Sequence, residues 1–594
     1  MRPTGQMIML ACAFEIFSAA PGWAANADAR PLLDAQGLSM FETAAGGQME
    51  TIQPKARGVY PANLIRKIQQ GLADQGFYLG SIDGRFGPKT EAAIRTYQKS
   101  ADLPVDGVPT TSLAIDLETG GKVGQLLNTL EKSRIAAADS AREALLSRPE
   151  TRHLVDGAAS TKETPHNSKS CMARPDPKCL LIEASISATD IEKPEMRDWA
   201  LGEILTSQAK AGLAGDALGT TRRTHDPRLI MVALRDIAKA QAAGGNNAEA
   251  MAAVDIIPDL EQQVEAYAAI AETQADNGQL IEAEETVVHL VDYLQRMDRP
   301  LTKIQFRTRI AVILYKIHND GLALKHIRAA EEHIPAISVA SDRDAGLRYI
   351  AGAYAETGNP AKAMLVLKRA TSAGDDFPIL IAAATGLAQA GEAGEALVTA
   401  DSIEAVRYRA LVLARIASYQ AGAGELDNAR AALDKALEAA QKIKFPFARA
   451  YAYSRIALAM NDVGISASNN PELLNRALDA ATLIKDDRLR AHILWTIADE
   501  RRRAQDAPGA ALALEQAQAA TENIKSPFSR VWMLCDIAED RAQRKEMDDA
   551  WLIFGEAMIE AKSITHPWGR ARALSKVAGT MTVLADRTSE TAQR

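Results

Sequence analysis

Leu234-Arg-Asp-Ile237-Ala-Lys-Ala-Gln-Ala-Ala-Gly-Gly245-Asn-Asn-Ala-Glu-Ala250 is one copy of a spacing that recurs along most of this 594-residue chain. Aligned on the residue equivalent to Ile237, anchors fall at 204, 237, 270, 310, 350, 383, 416, 456, 497, 537 and 577, separated by 33 to 41 residues. Three residues before the anchor stands Leu or Tyr in ten of the eleven units, among them Leu201, Tyr267, Leu413 and Leu574. Eight residues after it stands Gly in seven (Gly212, Gly245, Gly278, Gly358, Gly391, Gly424 and Gly464), and thirteen after it stands Ala in nine. A first helix therefore runs into a residue suited to the left-handed conformation, and a second helix starts a few residues on. Its early Ala lets the two helices approach closely. Periods of this size describe stacked helical hairpins. Most 40-residue units differ from the 33-residue ones by seven residues, about two helical turns, which lengthens a helix without rotating its apolar face. The segment Ser466–Pro471 reads instead as a loop insertion.

Composition agrees. Hydrophobic residues make up 47% and aromatics only 5%, as expected where Ala and Leu fill the gaps between helices and sheet formers are scarce. That apolar content excludes wholesale disorder. A net charge of −8 without a dense Lys/Arg block argues against a nucleic-acid partner. The repeat offsets are similar to those of the tetratricopeptide repeat, whose unit is a 34-residue helical hairpin. The 40-residue units and the irregular Trp and Pro positions depart from that pattern, so the array is tetratricopeptide-like.

Arg2, the apolar run Met7–Ala20 and the small residues of Ala25-Asn26-Ala27 form the pattern of a secretory leader over 1–27, despite Glu15 within the apolar run. No later stretch is long and apolar enough to span a membrane. Secretion places Cys171 and Cys179, which flank a turn-rich segment, in an oxidising compartment and predicts a local disulfide. Two cysteines with no nearby His do not make a metal site, and no cofactor is expected. Cys535 falls in a regular helical pattern and reads as a buried small hydrophobe.

Residues 28–57 read as a linker. Residues 61–72 then show amphipathic helix spacing, with Pro61 suited to the first turn. Asp83-Gly84 and Asp106-Gly107 mark tight turns, a second helix begins near Pro88, and Thr110 can cap a short third one. Ile68-Gln69, Leu72, Gly76-Phe77-Tyr78, Ile82-Asp83-Gly84, Phe86-Gly87, Thr90, Ala93-Ile94, Tyr97-Gln98, Leu103 and Asp106-Gly107 stand at fixed offsets. Together they make residues 58–118 resemble the peptidoglycan-binding domain family, a three-helix module. The resemblance implies a non-catalytic fold that binds the wall polymer and tethers whatever is attached to it. Ile82, Phe86, Ile94 and Leu103 are expected in the core. Candidate peptidoglycan ligands are Tyr78, Arg85 and Gln98, whose polar tips near glycine turns could reach sugar and carboxylate groups. Asp83 is also a candidate, although holding its own turn is the simpler role for it.

Residues 119–148 read as a polar helix, and 149–176 as a linker leading to the array at 177–590. Arg recurs seven residues before the anchor (Arg197, Arg343, Arg409, Arg449, Arg490, Arg530 and Arg570). It is either a guanidinium ladder for partner carboxylates or a structural contact repeated with the unit, and the second is simpler. Neither His-x-x-x-His nor Gly-x-Ser-x-Gly occurs, and the nine His are scattered. The expectation is an all-α protein: a three-helix bundle plus a right-handed α-solenoid of about eleven hairpins. It would act as a non-catalytic periplasmic adaptor, holding peptidoglycan with the small module and envelope proteins with the repeats. The alternative is a cell-wall enzyme, or enzyme subunit, with its site in the solenoid groove.

Overall fold

The computed structural model describes residues 60–101, 103–156, 166–372, 374, 376–462 and 470–592. The expected leader and the 28–57 linker lie outside them, as do Gly464 and most of the 466–471 insertion. The described residues contain helices and no strand. They fall into two compact units that meet in sequence between Ala141 and Arg142.

The first unit is built on α1 (Ala62–Asp74), α2 (Pro88–Ser100) and the start of α3 (Thr111–Ser147). Pro88 occupies the first turn of α2, where a missing N–H costs nothing. Thr110 Oγ1 accepts a hydrogen bond from Leu113 N at 3.0 Å and caps α3. The core gathers Ile68, Leu72, Tyr78, Ile94, Tyr97, Leu113 and Leu117. Gly71 lets α1 touch α3, since a Cβ there would lie 2.8 Å from Leu117 Cβ. The expected short third helix and the polar helix after it are one continuous α3, which passes through Gly120-Gly121 without a break. Ile94 is buried and Phe86 packs at the edge of the core. Ile82 and Leu103, expected in the core, are instead 41% and 36% exposed.

Residues 149–176, read as linker, contain two helices, α4 (Pro149–Asp156) and α5 (Ser168–Ala173). Their starts are a proline in the first turn of α4 and Asn167, whose side chain accepts from Ser170 N at 3.1 Å. α6 (Pro177–Thr189) follows, capped by Asp176. Then come ten hairpins: α7 (Pro194–Lys210) with α8 (Ala214–Thr221), α9 (Arg228–Ala243) with α10 (Asn247–Asp255), and α11 (Leu260–Asp276) with α12 (Leu280–Gln295). Next are α13 (Pro300–Lys316) with α14 (Asp320–Glu331), α15 (Ala340–Glu356) with α16 (Pro360–Leu367), α17 (Phe377–Gln389) with α18 (Ala393–Asp401), and α19 (Val406–Gly422) with α20 (Leu426–Gln441). The last are α21 (Pro446–Asp462) with α22 (Asn470–Thr482), α23 (Asp487–Arg503) with α24 (Ala507–Glu522), and α25 (Pro527–Gln543) with α26 (Met547–Ser563). α27 (Pro567–Ala592) ends the array. Where the repeat is 33 residues the second helix has 8 or 9 residues; four of the five 40-residue repeats have one of 16 or 17, and the fifth has one of 12 followed by a 3₁₀ turn. The extra two turns are therefore in the second helix.

The array closes on itself. Each first helix packs on the first helices either side of it, so these form the inner layer, with the second helices on the outside. α27 has no second helix of its own in sequence; it packs instead on α6 and α7 from the other end of the array. Buried residues of α6 and α7 (Leu180, Ala184, Leu201, Ile204) share one apolar cluster with Leu574, Val577 and Ala578 of α27. α6 has the register of an outer helix too. It is followed by buried Ile191, thirteen residues before anchor 204, where Ile257, Ile337, Ile403, Ile443, Ile484, Ile524 and Ile564 stand before theirs. The eleventh hairpin is thus assembled from the two ends of the array, and the solenoid closes into a ring.

Candidate functional site

The polar groups of the small unit are arranged around its two Asp-Gly turns. Gln69 is fully buried on α1, and its Oε1 accepts the Gly84 N–H at 2.8 Å. Its Nε2 lies 3.0 Å from Asp83 Oδ1, 3.2 Å from Arg85 O and from Thr90 Oγ1, and 3.3 Å from the Tyr78 hydroxyl. Asp83 Oδ1 also accepts Arg85 N at 2.9 Å. The Arg85 backbone N–H and then the Gln69 amide hold the Asp83 carboxyl below the usual carboxylate range. On α2 the device is repeated. Gln98 Oε1 accepts Gly107 N at 2.9 Å, Gln98 Nε2 donates to Asp106 Oδ1 at 2.7 Å, and that oxygen accepts Val108 N at 2.9 Å. Gly84 and Gly107 have φ of 76° and 70°, and a Cβ on Gly84 would meet Ala62 O at 2.8 Å, so both turns require glycine.

This arrangement separates the four ligand candidates. Tyr78 is buried and donates its hydroxyl proton to Ser81 O at 3.2 Å. Gln98 is buried in the second clamp, and Asp83 holds its own turn. Arg85 is exposed, beside the first clamp. The same loops expose apolar side chains: Leu79, 99% accessible, and Ile82 from the first, with Leu103, Val105 and Val108 from the second. Gln69, the centre of the clamp, was not a candidate from sequence. The signal was there, in the parallel recurrence of Gln69 with Asp83-Gly84 and Gln98 with Asp106-Gly107.

In the ring, the arginine ladder is a repeated cap. Arg197, Arg343, Arg490, Arg530 and Arg570 each direct Nη1 at the carbonyl of the Ile six residues back, at 2.6 to 3.5 Å, and Arg409 reaches Asp401 O at 3.2 Å. These carbonyls terminate the preceding outer helix and lack a helical partner. The seam has its own chemistry. Arg572 of α27 makes a paired contact with Glu203 of α7, Nη2 at 2.8 Å and Nε at 2.9 Å. Its guanidinium carbon lies 4.4, 4.6, 5.2 and 4.5 Å from the ring centres of Trp199, Phe528, Trp532 and Trp568. Beside the seam, Cys171 and Cys179 form a disulfide that ties α5 to the first turn of α6. Cys535 is buried, and burial pushes its thiol up to about 12, so it is a packed thiol and not a nucleophile at neutral pH.

Among the described residues no group of three or more His, Cys, Asp or Glu is placed to hold a metal ion, and no helix is long and apolar enough to cross a membrane. Two shallow clefts of about 300 and 360 Å³ lie where α13 and α14 meet α15 and α16.

Residues 61–114 match the family model of the peptidoglycan binding domain. That match covers the small unit and supports attachment to the cell wall. No curated protein matches the chain. Among solved structures, Ton1535 from Thermococcus onnurineus NA1 aligns over 58% of this chain and 98% of its own length, at 20% identity and a TM-score of 0.27. A superposition that loose carries no argument about fold or function.

Proposed function

We propose that this chain is a non-catalytic periplasmic adaptor that holds peptidoglycan with residues 61–114 and presents its helical ring to envelope proteins. The family match over the small unit carries the first half of this reading. The ligand face assigned to that unit is the rim of its first clamped turn. There Leu79 and Ile82 offer apolar contact to a sugar face, and the exposed Arg85 guanidinium suits a stem-peptide carboxylate. Tyr78, Asp83 and Gln98 act behind that face by fixing the turns. Helical repeat arrays present extended surfaces used to bind other molecules, which supports a scaffold role for the remainder.

Sedimentation with purified wall sacculi tests the first half. The full chain should pellet with them, Arg85→Ala should weaken pelleting, and deletion of 60–118 should abolish it. Pelleting undiminished by that deletion sinks the reading. Affinity capture from envelope extract with the full chain tests the second half. Release of soluble muropeptides by the purified protein would replace the adaptor reading with an enzymatic one.

A further inference from the structure

The fourth hairpin, α13 with α14, breaks the repeat in its core. Arg307 stands three residues before anchor 310, where the ten other units have Leu or Tyr. His326, sixteen residues after the anchor, and His333, twenty-three after it, complete the break. All three side chains are half-buried. Arg307 Nε, His326 Nδ1 and His333 Nε2 are each sealed from solvent without a hydrogen-bond partner. Such groups are costly unless something satisfies them.

The third hairpin shows what belongs there. Its equivalents are Tyr267, Thr286 and Tyr293, and all three are satisfied. The Tyr267 hydroxyl donates to Asp255 Oδ1 at 2.7 Å and the Tyr293 hydroxyl to the same oxygen at 3.1 Å, while Thr286 Oγ1 donates to Gln274 Oε1 at 2.7 Å. The two tyrosines share the carboxylate of Asp255, the last residue of the preceding outer helix α10, while Thr286 is satisfied separately by Gln274. Hairpin four has Gln295 at the same place, the last residue of α12 and fifteen before the anchor, just as Asp255 is. The Arg307 cation and two imidazoles stand in place of the three hydroxyls, and the carboxylate is missing. The Arg307 charge reaches both histidines. Burial first, then Arg307, holds His326 and His333 below the usual imidazole range, with Lys325 adding to the effect on His326 and Lys303 to that on His333. Glu332 is the one carboxylate felt by Arg307, and it is exposed and forms no ion pair with it.

We propose that hairpin four is an oxyanion-binding site, in which a ligand carboxylate or phosphate occupies the place that the Asp255 carboxylate holds in hairpin three. Arg307 supplies charge and N–H donors, His333, in the place of Tyr293, supplies a ring N–H group, and Lys303 adds charge at the rim. The site is independent of the small unit and of peptidoglycan attachment.

The test is calorimetric titration of the full chain at constant ionic strength set with chloride. One arm uses inorganic phosphate and the other N-acetyl-D-alanyl-D-alanine as a peptide carboxylate. One of them should bind with saturable heat, and whichever binds more tightly identifies the source of the anion. Arg307→Leu restores the residue type of the other repeats, so it should fold, raise Tm in the absence of anion and weaken binding at least tenfold. Gln295→Asp installs the missing carboxylate within the chain and should likewise raise Tm and abolish the titration. Tyr267→Phe, in hairpin three, should leave the titration unchanged. No saturable heat with either probe overturns the proposal, as does binding that survives both Arg307→Leu and Gln295→Asp.

Discussion

The small unit and the ring solve the same problem, a tight turn between helices, by different means. In the small unit each turn glycine is held by a buried glutamine, Gln69 for Gly84 and Gln98 for Gly107. In the ring the turn eight residues after the anchor is left-handed in every described hairpin, with no side-chain clamp on its N–H. There Gly212, Gly245, Gly278, Gly358, Gly391 and Gly424 have φ of 71° to 83°. In the three described hairpins whose turn lacks glycine, His318, Gln505 and Lys545 take the same conformation, at 60° to 65°. A unit of some sixty residues buries too little apolar surface to hold its loops by packing alone. The ring, with its continuous apolar layer, has packing in excess and tolerates strained turns. Carboxylates assist its loops as well, as where Asp198 accepts from His225 and Asp226 N, and Asp344 from Thr371 and Ser372 N.

If that contrast is right, the largest effect of one substitution falls in the small unit. Gln69→Leu strands the buried Gly84 N–H and frees the turn, costing about 3 kcal/mol, enough to unfold much of a module this size. Hydrogen exchange should rise across 60–118 and stay unchanged in the ring; an unaltered pattern in the small unit would break the comparison. Next is the seam. Arg572→Ala takes the cation from Glu203 and from four aromatic rings at once and should destabilise the ring by about 2–3 kcal/mol. Faster exchange confined to α6, α7 and α27 is the expected signature, whereas a uniform change around the ring would mean that closure is not a distinct element. Removing the disulfide with Cys171→Ser should cost about 2 kcal/mol by releasing the short loop before α6. A reductant should lower Tm of the native chain similarly and leave that of the variant alone. Smallest are the strained turns: His318→Gly, Gln505→Gly and Lys545→Gly should each raise stability by about 0.5–1 kcal/mol in denaturant unfolding. Loss of stability at all three would show that those side chains contribute contacts outweighing the strain.

Much of the fold was legible in the sequence because hairpin geometry is local. Gly at one offset, Ala at another and a seven-residue difference between repeat lengths are all readable without knowing where the chain goes next. Ring closure is not local, since it depends on small rotations accumulated over the whole array. Two signals bore on it. Ile191 precedes anchor 204 as though an outer helix had just ended, and Ala585, at the turn position of the last unit, lies within the uninterrupted α27. In the small unit, residues at turns were read as ligands or core by type. Gln98 and Tyr78 are buried in hydrogen bonds to the turns, and Ile82 and Leu103 lie at the surface, because in so small a unit the turns themselves are the edge of the core. Arg307 was visible from the start as the one exception among eleven units, but only the satisfied network of hairpin three gives the exception a meaning.

The central claim is that wall attachment belongs to the small unit and not to the ring. Hydrogen exchange of the full chain with and without soluble glycan-peptide fragments of peptidoglycan tests it most directly. The account predicts protection within residues 60–118, strongest over the turns at 78–88, and none in the ring. Protection in the ring with none in the small unit would contradict it.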